Sequence, residues 1–154
     1  MSLRVDHEDE DRMTLQATLE GVRDLRGWGF TLTFDADQFE FLGARVPSEN
    51  LFEKRGGHVP LFLVHDEAPG RVVLSSAITS GAAPVGDGPI AEMVFRPKPS
   101  TANATFGLDD GMVFDSYSSP TRVLAAAHRV YAGGPSHSWM PVPLRGFLRA
   151  LMSF

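Results

Sequence analysis

Residues 28–46 read WGFTLTFDADQFEFLGARV, and this segment carries the strongest structural signal in the chain. In its first half, large apolar residues occupy alternate positions, which is the period of a strand with one buried face. The face predicted to be buried takes Trp28, Phe30, Leu32 and Phe34. The opposite face takes Gly27, Gly29, Thr31 and Thr33. Burial of such large side chains contributes on the order of 1.5–3 kcal/mol each, so the segment predicts a core strand.

An acidic break divides this segment. Asp35-Ala36-Asp37 interrupts the apolar alternation, and aspartate side chains commonly accept hydrogen bonds from nearby backbone amides in turns. The apolar pattern resumes at Phe39, Phe41 and Leu42. The segment therefore predicts two short strands joined by a turn, as in the hairpin of a β-rich core.

The composition is that of a single-domain globular protein. Its 154 residues are 43% hydrophobic, which is enough to bury one core. The formal net charge of −5 argues against a nucleic-acid-binding protein, because such proteins carry a basic surface. The absence of cysteine excludes disulfide and thiolate chemistry. No apolar run reaches the ~18 residues of a membrane span, and no secretion signal is visible.

Short apolar runs separated by turn residues continue along the chain. Residues 13–19 place apolar side chains at every odd position, residues 61–64 are uniformly apolar, and residues 71–78 and 90–95 are also typical of strands. Asp109-Asp110-Gly111 lies between two further apolar runs and indicates a hairpin turn. About eight or nine short strands result, which predicts an all-β fold, an antiparallel β-sandwich.

The C-terminal segment has a different pattern. Gly and Pro residues interrupt the strand pattern, and an amphipathic helical stripe follows. The stripe consists of Leu144, Phe147, Leu148, Leu151 and Met152. Arg145 and Arg149 lie on the opposite side. We interpret residues 3–133 as a β-sandwich domain and residues 134–154 as a linker and amphipathic helix. That helix either caps an open end or edge of the sandwich, mediates a homodimer contact or begins a further domain.

No catalytic motif stands out. The five histidines show no metal-ligand spacing, and no serine lies in a GxSxG motif. Without an acid/base or nucleophile pair, we predict a protein that is not an enzyme, with no catalytic residues and no required cofactor.

Two further kinds of site have weak candidates. Two acidic turns could hold calcium through carboxylate oxygens, although capping of the turns is the preferred interpretation. The calcium candidates are Asp35, Asp37, Asp109 and Asp110. Exposed aromatic rings can stack on sugars, and Tyr117 and Trp139 lie in a predicted loop and in the tail. They are the candidates for glycan contacts.

Three motifs follow one another along the predicted sandwich: FTLTFDADQFEF at residues 30–41, SENLF at residues 48–52 and GDGPIAEMVF at residues 86–95. The first resembles the cohesin pattern in which a core strand ends in Tyr/Phe-Asp-Pro before an apolar hairpin. The second resembles the short cohesin segment that ends in Leu-Phe, and the third the Gly-x-Gly-x-Leu-Ala-x-Ile-x-Phe strand. The resemblance covers residues 3–133.

The cohesin resemblance implies a nine-stranded jelly-roll sandwich of bacterial extracellular or cell-surface origin. Cohesins bind dockerins, small calcium-loaded helical modules, on one flat sheet face, and the fold class also includes carbohydrate-binding modules. Carried onto this chain, the partner-binding face comprises Gly27, Gly29, Thr31, Thr33, Arg71 and Ser75. Gly27 and Gly29 stand where scaffoldin cohesins have polar hydrogen-bonding residues, and Ala36 stands where the family usually has Pro.

We therefore expect a non-catalytic protein–protein interaction module of a larger exported bacterial protein, which docks a dockerin or an analogous partner on one sheet face. Two alternatives stay open. A carbohydrate-binding module would expose the rings of Tyr117 and Trp139 to polysaccharide. A structural or adhesin spacer would show an evenly polar surface without a large apolar patch.

Overall fold

The computed structural model describes residues 1–9, 11–56, 61–99, 101, 104–123 and 128–130. Ten strands and one short helix form within these residues: β1 (Ser2–Glu8), β2 (Met13–Val22), β3 (Gly27–Thr33), β4 (Phe39–Arg45), α1 (Leu51–Gly56), β5 (Leu61–Ala68), β6 (Arg71–Ala77), β7 (Gly86–Pro97), β8 (Ala104–Phe114), β9 (Pro120–Arg122) and β10 (His128–Val130). The strands build two sheets, and the predicted all-β antiparallel sandwich is confirmed.

The first sheet has four strands in the order β1-β2-β7-β4, and the second has six. In the six-stranded sheet the order is β10-β8-β3-β6-β5, with β9 paired to β8. Neighbouring strands in both sheets pair antiparallel. The predicted core strand β3 therefore lies in the middle of the larger sheet, flanked by β8 and β6.

The core lies between the two sheets and is rich in phenylalanine. Phe95 of β7 and Phe106 of β8 belong to different sheets, and their ring centroids lie 5.0 Å apart. Trp28 is 1% exposed and stacks on Phe30 at 5.4 Å, which confirms the inward face predicted for β3. Trp28 is thus a core residue and is unavailable to a glycan.

The acidic break after β3 forms the predicted turn. The Asp35 carboxylate accepts hydrogen bonds from the Asp37 backbone N–H at 2.9 Å and from Gln38 Nε2 at 2.7 Å. Because both donors favour the charged carboxylate, the pKa of Asp35 lies below its usual value, with the Gln38 side chain as the largest cause.

The predicted hairpin turn at Asp109-Asp110-Gly111 is wrong. β8 continues through it as one strand, and the register against β3 shifts between Gly29 and Thr31. Asp110 adopts a positive φ of 52°, so the segment is a β-bulge that inserts an extra residue opposite Phe30. Two-residue hairpin turns and bulges of the G1 type both use a residue at positive φ, which is why the same sequence signal fits both.

Three further features of the structure differ from the elements that the sequence patterns predicted. β2 is buried on both faces, including Thr14 and Gln16, because it is a central strand between β1 and β7 and because Arg4 covers its outer face through hydrogen bonds to Gln16. The apolar run at residues 61–64 belongs to an edge strand that extends to Ala68. Helix α1 stands where the sequence patterns predicted no regular element.

Part of the predicted domain organisation lies outside the described residues. The amphipathic helix of residues 134–154 and its alternative roles, and the candidate Trp139, fall there. The division into residues 3–133 and 134–154 therefore stays a prediction.

Candidate functional site

The outer face of the six-stranded sheet brings together side chains from four neighbouring strands. Register places Leu61 of β5 opposite Ala77 of β6, Ala77 opposite Gly27 of β3, and Gly27 opposite Phe114 of β8. The next outward row runs Leu63, Ser75, Gly29, Met112. In both rows small residues occupy the two central strands and large apolar residues occupy the flanking strands.

This arrangement forms an apolar depression, which we call the glycine groove. Its floor is Gly27, Ser75 and Ala77, and its walls are Leu61, Leu63 and Phe114. The cavity measures about 360 Å³. Leu61 is 60% exposed and Leu63 is 57% exposed, so the β5 wall presents two leucines to solvent.

Gly27 of the floor and Gly29, in the next row of the same face, differ in what packing requires. A Cβ on Gly27 would lie 3.2 Å from the Ser76 carbonyl oxygen and 3.7 Å from the Phe114 ring, so a side chain there would crowd the backbone of β6. A Cβ on Gly29 would make only ordinary contacts, at 3.6 Å to the Leu74 carbonyl oxygen and 3.7 Å to Ser75 Cβ. Packing does not require glycine at position 29. There its main effect is to keep the face flat.

The opposite end of the same face is polar. Thr33 Oγ1 donates a hydrogen bond to Asp109 Oδ2 at 3.4 Å, and Arg71 pairs with Glu67 and lies 3.8 Å from Asp110. Arg122 of β9 also reaches Asp110, at 3.6 Å. We call this end the charged rim. Its ion pairs are exposed and contribute little to stability, but they give the face a directional pattern: apolar at one end and charged at the other.

All six residues predicted for the partner-binding face lie on this outer face. Gly27, Gly29, Thr31 and Thr33 alternate along β3, while Ser75 opposes Gly29 and Arg71 opposes Thr33. They differ in accessibility: Gly27 is buried and Thr31 is 5% exposed. Their role in binding stays a prediction.

Sequence reasoning missed the walls of the groove. Leu61 and Leu63 belong to a run with four consecutive apolar residues, which gives no sign of which side faces the core. Only the pairing of β5 at the sheet edge shows that both leucines point outward. Phe114 was missed because the predicted hairpin put residues 112–114 on a separate short strand after the turn, whereas they continue β8.

The calcium candidates are used in local structure. Asp35 caps its own turn, and Asp110 pairs with two arginines. Asp37 takes part through its backbone N–H, and Asp109 accepts from Thr33. In the described part of the chain, no group of three or more His, Cys, Asp or Glu residues could hold a metal ion.

The glycan candidate Tyr117 is 87% exposed. It lies in a turn held by the Asp115 carboxylate, which accepts hydrogen bonds from the backbone N–H groups of Tyr117 and Ser119, both at 2.9 Å. Next to it, Ser118 lines the glycine groove. Tyr117 thus lies beside the glycine groove, at the end opposite the charged rim. Its role in glycan binding together with Trp139 stays a prediction.

Asp24 fixes the start of the same loop. Its carboxylate accepts hydrogen bonds from the Ser116 hydroxyl and, at 3.1 Å, from the Ser116 backbone N–H. The hydroxyl is the largest cause of a pKa below the usual aspartate value. The loop that borders the groove is therefore tied to the β2–β3 connection.

Comparison with known proteins agrees with the fold. No protein-family model matches the chain, and no curated protein matches it by sequence. Solved structures do match. The sixth cohesin of scaffoldin B from Acetivibrio cellulolyticus, solved in complex with a mutant Cel5 dockerin, aligns with a TM-score of 0.69 and 19% identity over 86% of this chain and 96% of that one.

Two further cohesins broaden this likeness. The cohesin module of a family 33 glycoside hydrolase from Clostridium perfringens gives a TM-score of 0.66 at 13% identity, over 84% of this chain and 94% of that one. A non-cellulosomal cohesin from the archaeon Archaeoglobus fulgidus gives 0.57 at 16%, over 78% and 80%. The chain thus has a cohesin-like fold, which confirms the resemblance drawn from the three sequence motifs.

The described residues also bear on membrane insertion. None of their helices is long and apolar enough to cross a membrane.

Proposed function

We propose that the protein is a non-catalytic docking module that receives a helical protein partner on the outer face of the six-stranded sheet. The observation that carries the proposal is the glycine groove: two exposed leucines beside a floor of small residues, on a cohesin-like fold. A plain spacer domain has no need for such a surface, because exposed apolar patches favour unwanted association.

The dimensions of the face suit helices. Four adjacent strands span roughly 19 Å, and an α-helix with its side chains is about 10–12 Å in diameter. One or two helices can therefore lie across β8, β3, β6 and β5. A dockerin is bound to one of the cohesins that this chain resembles in fold, which makes a dockerin or an analogous helical module the partner class we propose.

The chemistry of the face predicts how the partner is held. Gly27 and Gly29 supply no hydrogen-bonding side chains, so contact near them depends on shape and apolar area. The charged rim supplies the polar contacts, through Arg71 of β6 and Arg122 of β9, which both pair with Asp110 of β8. We expect a partner with an apolar ridge flanked at one end by charged residues, and an exported or cell-surface parent protein.

The proposal is tested by one substitution with a matched control. Leu63→Glu puts a charge on the groove wall. Leu42→Glu makes the same change on the other sheet, at an exposed leucine whose charged neighbours are balanced in sign: Arg12, Arg96, Asp9 and Asp11. Both variants should stay folded, because neither side chain is buried. Binding would be measured by calorimetry against a panel of calcium-loaded dockerins and by retention of proteins from exported fractions.

Wild type and Leu42→Glu should bind the same partner with equal affinity, and Leu63→Glu should weaken it at least tenfold, about 1.4 kcal/mol. A second variant, Gly29→Thr, adds a side chain without a charge in the row next to the floor and should also weaken binding while leaving stability intact. The proposal fails if no dockerin binds and no protein is retained by wild type in preference to Leu63→Glu. Equal losses in both Glu variants would also overturn it.

A further inference from the structure

We propose that β5 is a self-pairing edge: two copies of the chain join antiparallel through residues 61–65, about a two-fold axis at Leu63. The pairing would carry the six-stranded sheet of one copy directly into that of the other. It goes beyond the proposed function and does not depend on it, because the dimer needs no docking partner and can be measured on the protein alone.

Within the described residues, β5 has the longest uninterrupted sheet edge. It lies at the end of the six-stranded sheet and pairs with β6 without a register shift from Leu61 to Asp66. The edges of the four-stranded sheet are interrupted: the pairing of β1 shifts register after Val5, and that of β4 after Phe41. Such bulges hinder pairing with a further strand. The strands beside β8, β9 and β10, have three residues each, so β5 is the edge that best accepts another strand.

The side chains of β5 favour association over protection. Leu61, Leu63 and Val64 are 60%, 57% and 40% exposed, and residues 61–68 contain no lysine or proline. Natural edge strands commonly carry these residues because they discourage pairing with another chain. An edge with exposed apolar side chains and without such residues is a typical acceptor for strand addition.

Geometry limits the registers in which β5 can pair with itself. Directly opposed residues of antiparallel strands point to the same face of the sheet, so a two-fold axis perpendicular to the sheet must pass through a residue and not between two. With the axis on Leu63, the outer face pairs Leu63 with its own copy and Leu61 with His65. The core side pairs Phe62 with Val64.

The neighbouring registers are less favourable. An axis on Val64 would set the Asp66 carboxylate opposite the Phe62 ring, and burial of an unpaired charge beside an apolar group is costly. An axis on Phe62 would include Pro60, which has no N–H to donate to a ladder. The axis on Leu63 leaves both Asp66 and Pro60 outside the paired segment, and four of its five residues are apolar.

The dimer would keep the glycine groove open and set two docking faces side by side. Opposed side chains stand next to one another on the outer face and not over it, so Leu63 of the second copy would extend the wall of the groove. Five residue pairs make a smaller interface than the ~1,200–2,000 Å² of stable complexes. We therefore expect a reversible dimer with a dissociation constant between about 10 µM and 1 mM.

Charge exchange at Leu63 tests the dimer and its register together, by sedimentation velocity of the full chain over that concentration range. Leu63→Lys and Leu63→Glu each place two like charges at the two-fold axis, so each should weaken self-association at least tenfold. An equimolar mixture of the two variants brings opposite charges together and should recover dimers. These substitutions replace an exposed side chain, and the variants should stay folded.

Leu61→Lys with Leu61→Glu is the matched control. Position 61 opposes His65 and not itself, so this mixture should form no more dimer than either variant alone, although its net charges match those of the Leu63 mixture.

A wild-type chain that stays monomeric over the whole range would overturn the proposal. Dimers that persist in both Leu63 variants would assign the contact to another surface, and equal recovery in the two mixtures would refute the register; either result also overturns it. Dimers without any dockerin binding would leave the self-pairing standing and count against the proposed function alone.

Discussion

Gly70 is the residue where backbone conformation and close packing coincide. It lies in the turn between β5 and β6 with φ +76°, and a Cβ there would lie 2.4 Å from the Phe34 carbonyl oxygen. Its own carbonyl oxygen accepts a hydrogen bond from the Phe34 N–H at 2.9 Å. The turn is therefore locked onto the end of β3 by backbone contact, which a side chain would separate.

Gly21 provides a matched comparison for Gly70. Its φ is +66°, but nothing lies within 4 Å of a Cβ at that position. We expect Gly21→Ala to lower the free energy of unfolding by about 1–2 kcal/mol through backbone strain alone, and Gly70→Ala to lower it by about 3–5 kcal/mol, because overpacking adds to the strain. Urea denaturation measures both values. If both variants lost the same free energy of unfolding, the close approach to the Phe34 carbonyl oxygen would add nothing to the backbone strain.

Asp35 gives a second prediction at this scale, on pH. Its pKa is lowered in the folded protein by the Gln38 side chain and the Asp37 backbone N–H. An unfolded aspartate titrates near pKa 3.9, so the stabilisation is fully present above about pH 4 and is lost as pH falls through the lower folded pKa.

We expect Asp35→Asn to be less stable than wild type at pH 6 and to approach it in stability below pH 3. Asp37→Asn is the control, because within the described residues the Asp37 carboxylate makes no hydrogen bond. The stability of this variant should change with pH in parallel with that of wild type. Thermal denaturation from pH 2.5 to pH 6 measures the three curves. If Asp35→Asn and wild type differ by a constant amount over this range, the turn does not depend on the carboxylate charge.

Residue patterns predicted the inward face of β3 and the capping role of Asp35, because both depend on near neighbours in sequence. They did not predict which outward residues stay accessible. Thr31 points outward yet is 5% exposed, while Leu63, two strands away, is 57% exposed. Accessibility on a sheet depends on the side chains of adjacent strands, which the local sequence does not contain.

Among the elements, α1 depends on one buried cap. Asn50 is 1% exposed, and its Oδ1 accepts hydrogen bonds from the Phe52 N–H at 3.0 Å and the Glu53 N–H at 3.1 Å. Its Nδ2 donates to the Pro47 carbonyl oxygen at 3.1 Å. Asn-x-x-Glu is a helix-start signature. Residues 48–53, SENLFE, contain it, so the sequence alone could have predicted the start of α1.

We expect Asn50→Ala to lower the free energy of unfolding by about 2–3 kcal/mol, which exceeds the usual ~1 kcal/mol for a helix cap because buried N–H and carbonyl groups lose their partners. Asn50→Ser keeps an uncharged oxygen acceptor for the Phe52 and Glu53 N–H groups and should lose less. Chemical denaturation of the three proteins tests the order. An Asn50→Ala loss below that of Asn50→Ser would contradict the capping role.

The packing of α1 explains part of the GDGPIAEMVF motif. A Cβ on Gly88 would lie 3.0 Å from Leu51 Cδ1 and 3.3 Å from Leu51 Cβ. Gly88 is therefore glycine because the helix rests on β7 there. The SENLF motif supplies Leu51 and the Gly-x-Gly motif supplies Gly88, so the two motifs meet in one contact between α1 and β7. This contact explains why the two motifs occur together.

At the scale of the whole molecule, strand order could not be read from the sequence. β3 pairs with β6 and β8, which follow it by about 40 and 80 residues, and no local pattern specifies such pairings. The sandwich class followed from strand count and turn spacing, and the face followed from the cohesin resemblance. The groove walls required the observed order, because only that order places β5 at the edge beside β6.

Aromatic contacts between the two sheets contribute to holding the sandwich together. Phe95 of the four-stranded sheet is fully buried, and its ring lies 5.0 Å from Phe34 and Phe106 and 5.4 Å from Phe41. Aromatic pairs of this kind contribute about 0.5–1.5 kcal/mol each beyond the area that they bury. One ring therefore stabilises contacts to β8 and to the end of β3 at once.

We expect Phe95→Leu to lower the free energy of unfolding by about 2–4 kcal/mol, since it removes several such pairs while keeping most of the buried volume. Phe62→Leu is the matched control: Phe62 is only partly buried on the edge strand and meets Trp28 at 6.0 Å, so its loss should be about 1 kcal/mol or less.

Hydrogen exchange of the native protein then tests whether the two sheets form one cooperative unit. Amides of Ala17 in β2 and Leu74 in β6 lie in different sheets, and both should lose protection by the same factor in Phe95→Leu. That result follows if the sheets open together, because the ring contributes equally to the closed state of each. Lost protection in β2 alone would mean that the four-stranded sheet opens independently, and that the six-stranded sheet is stable without the other sheet packed on it.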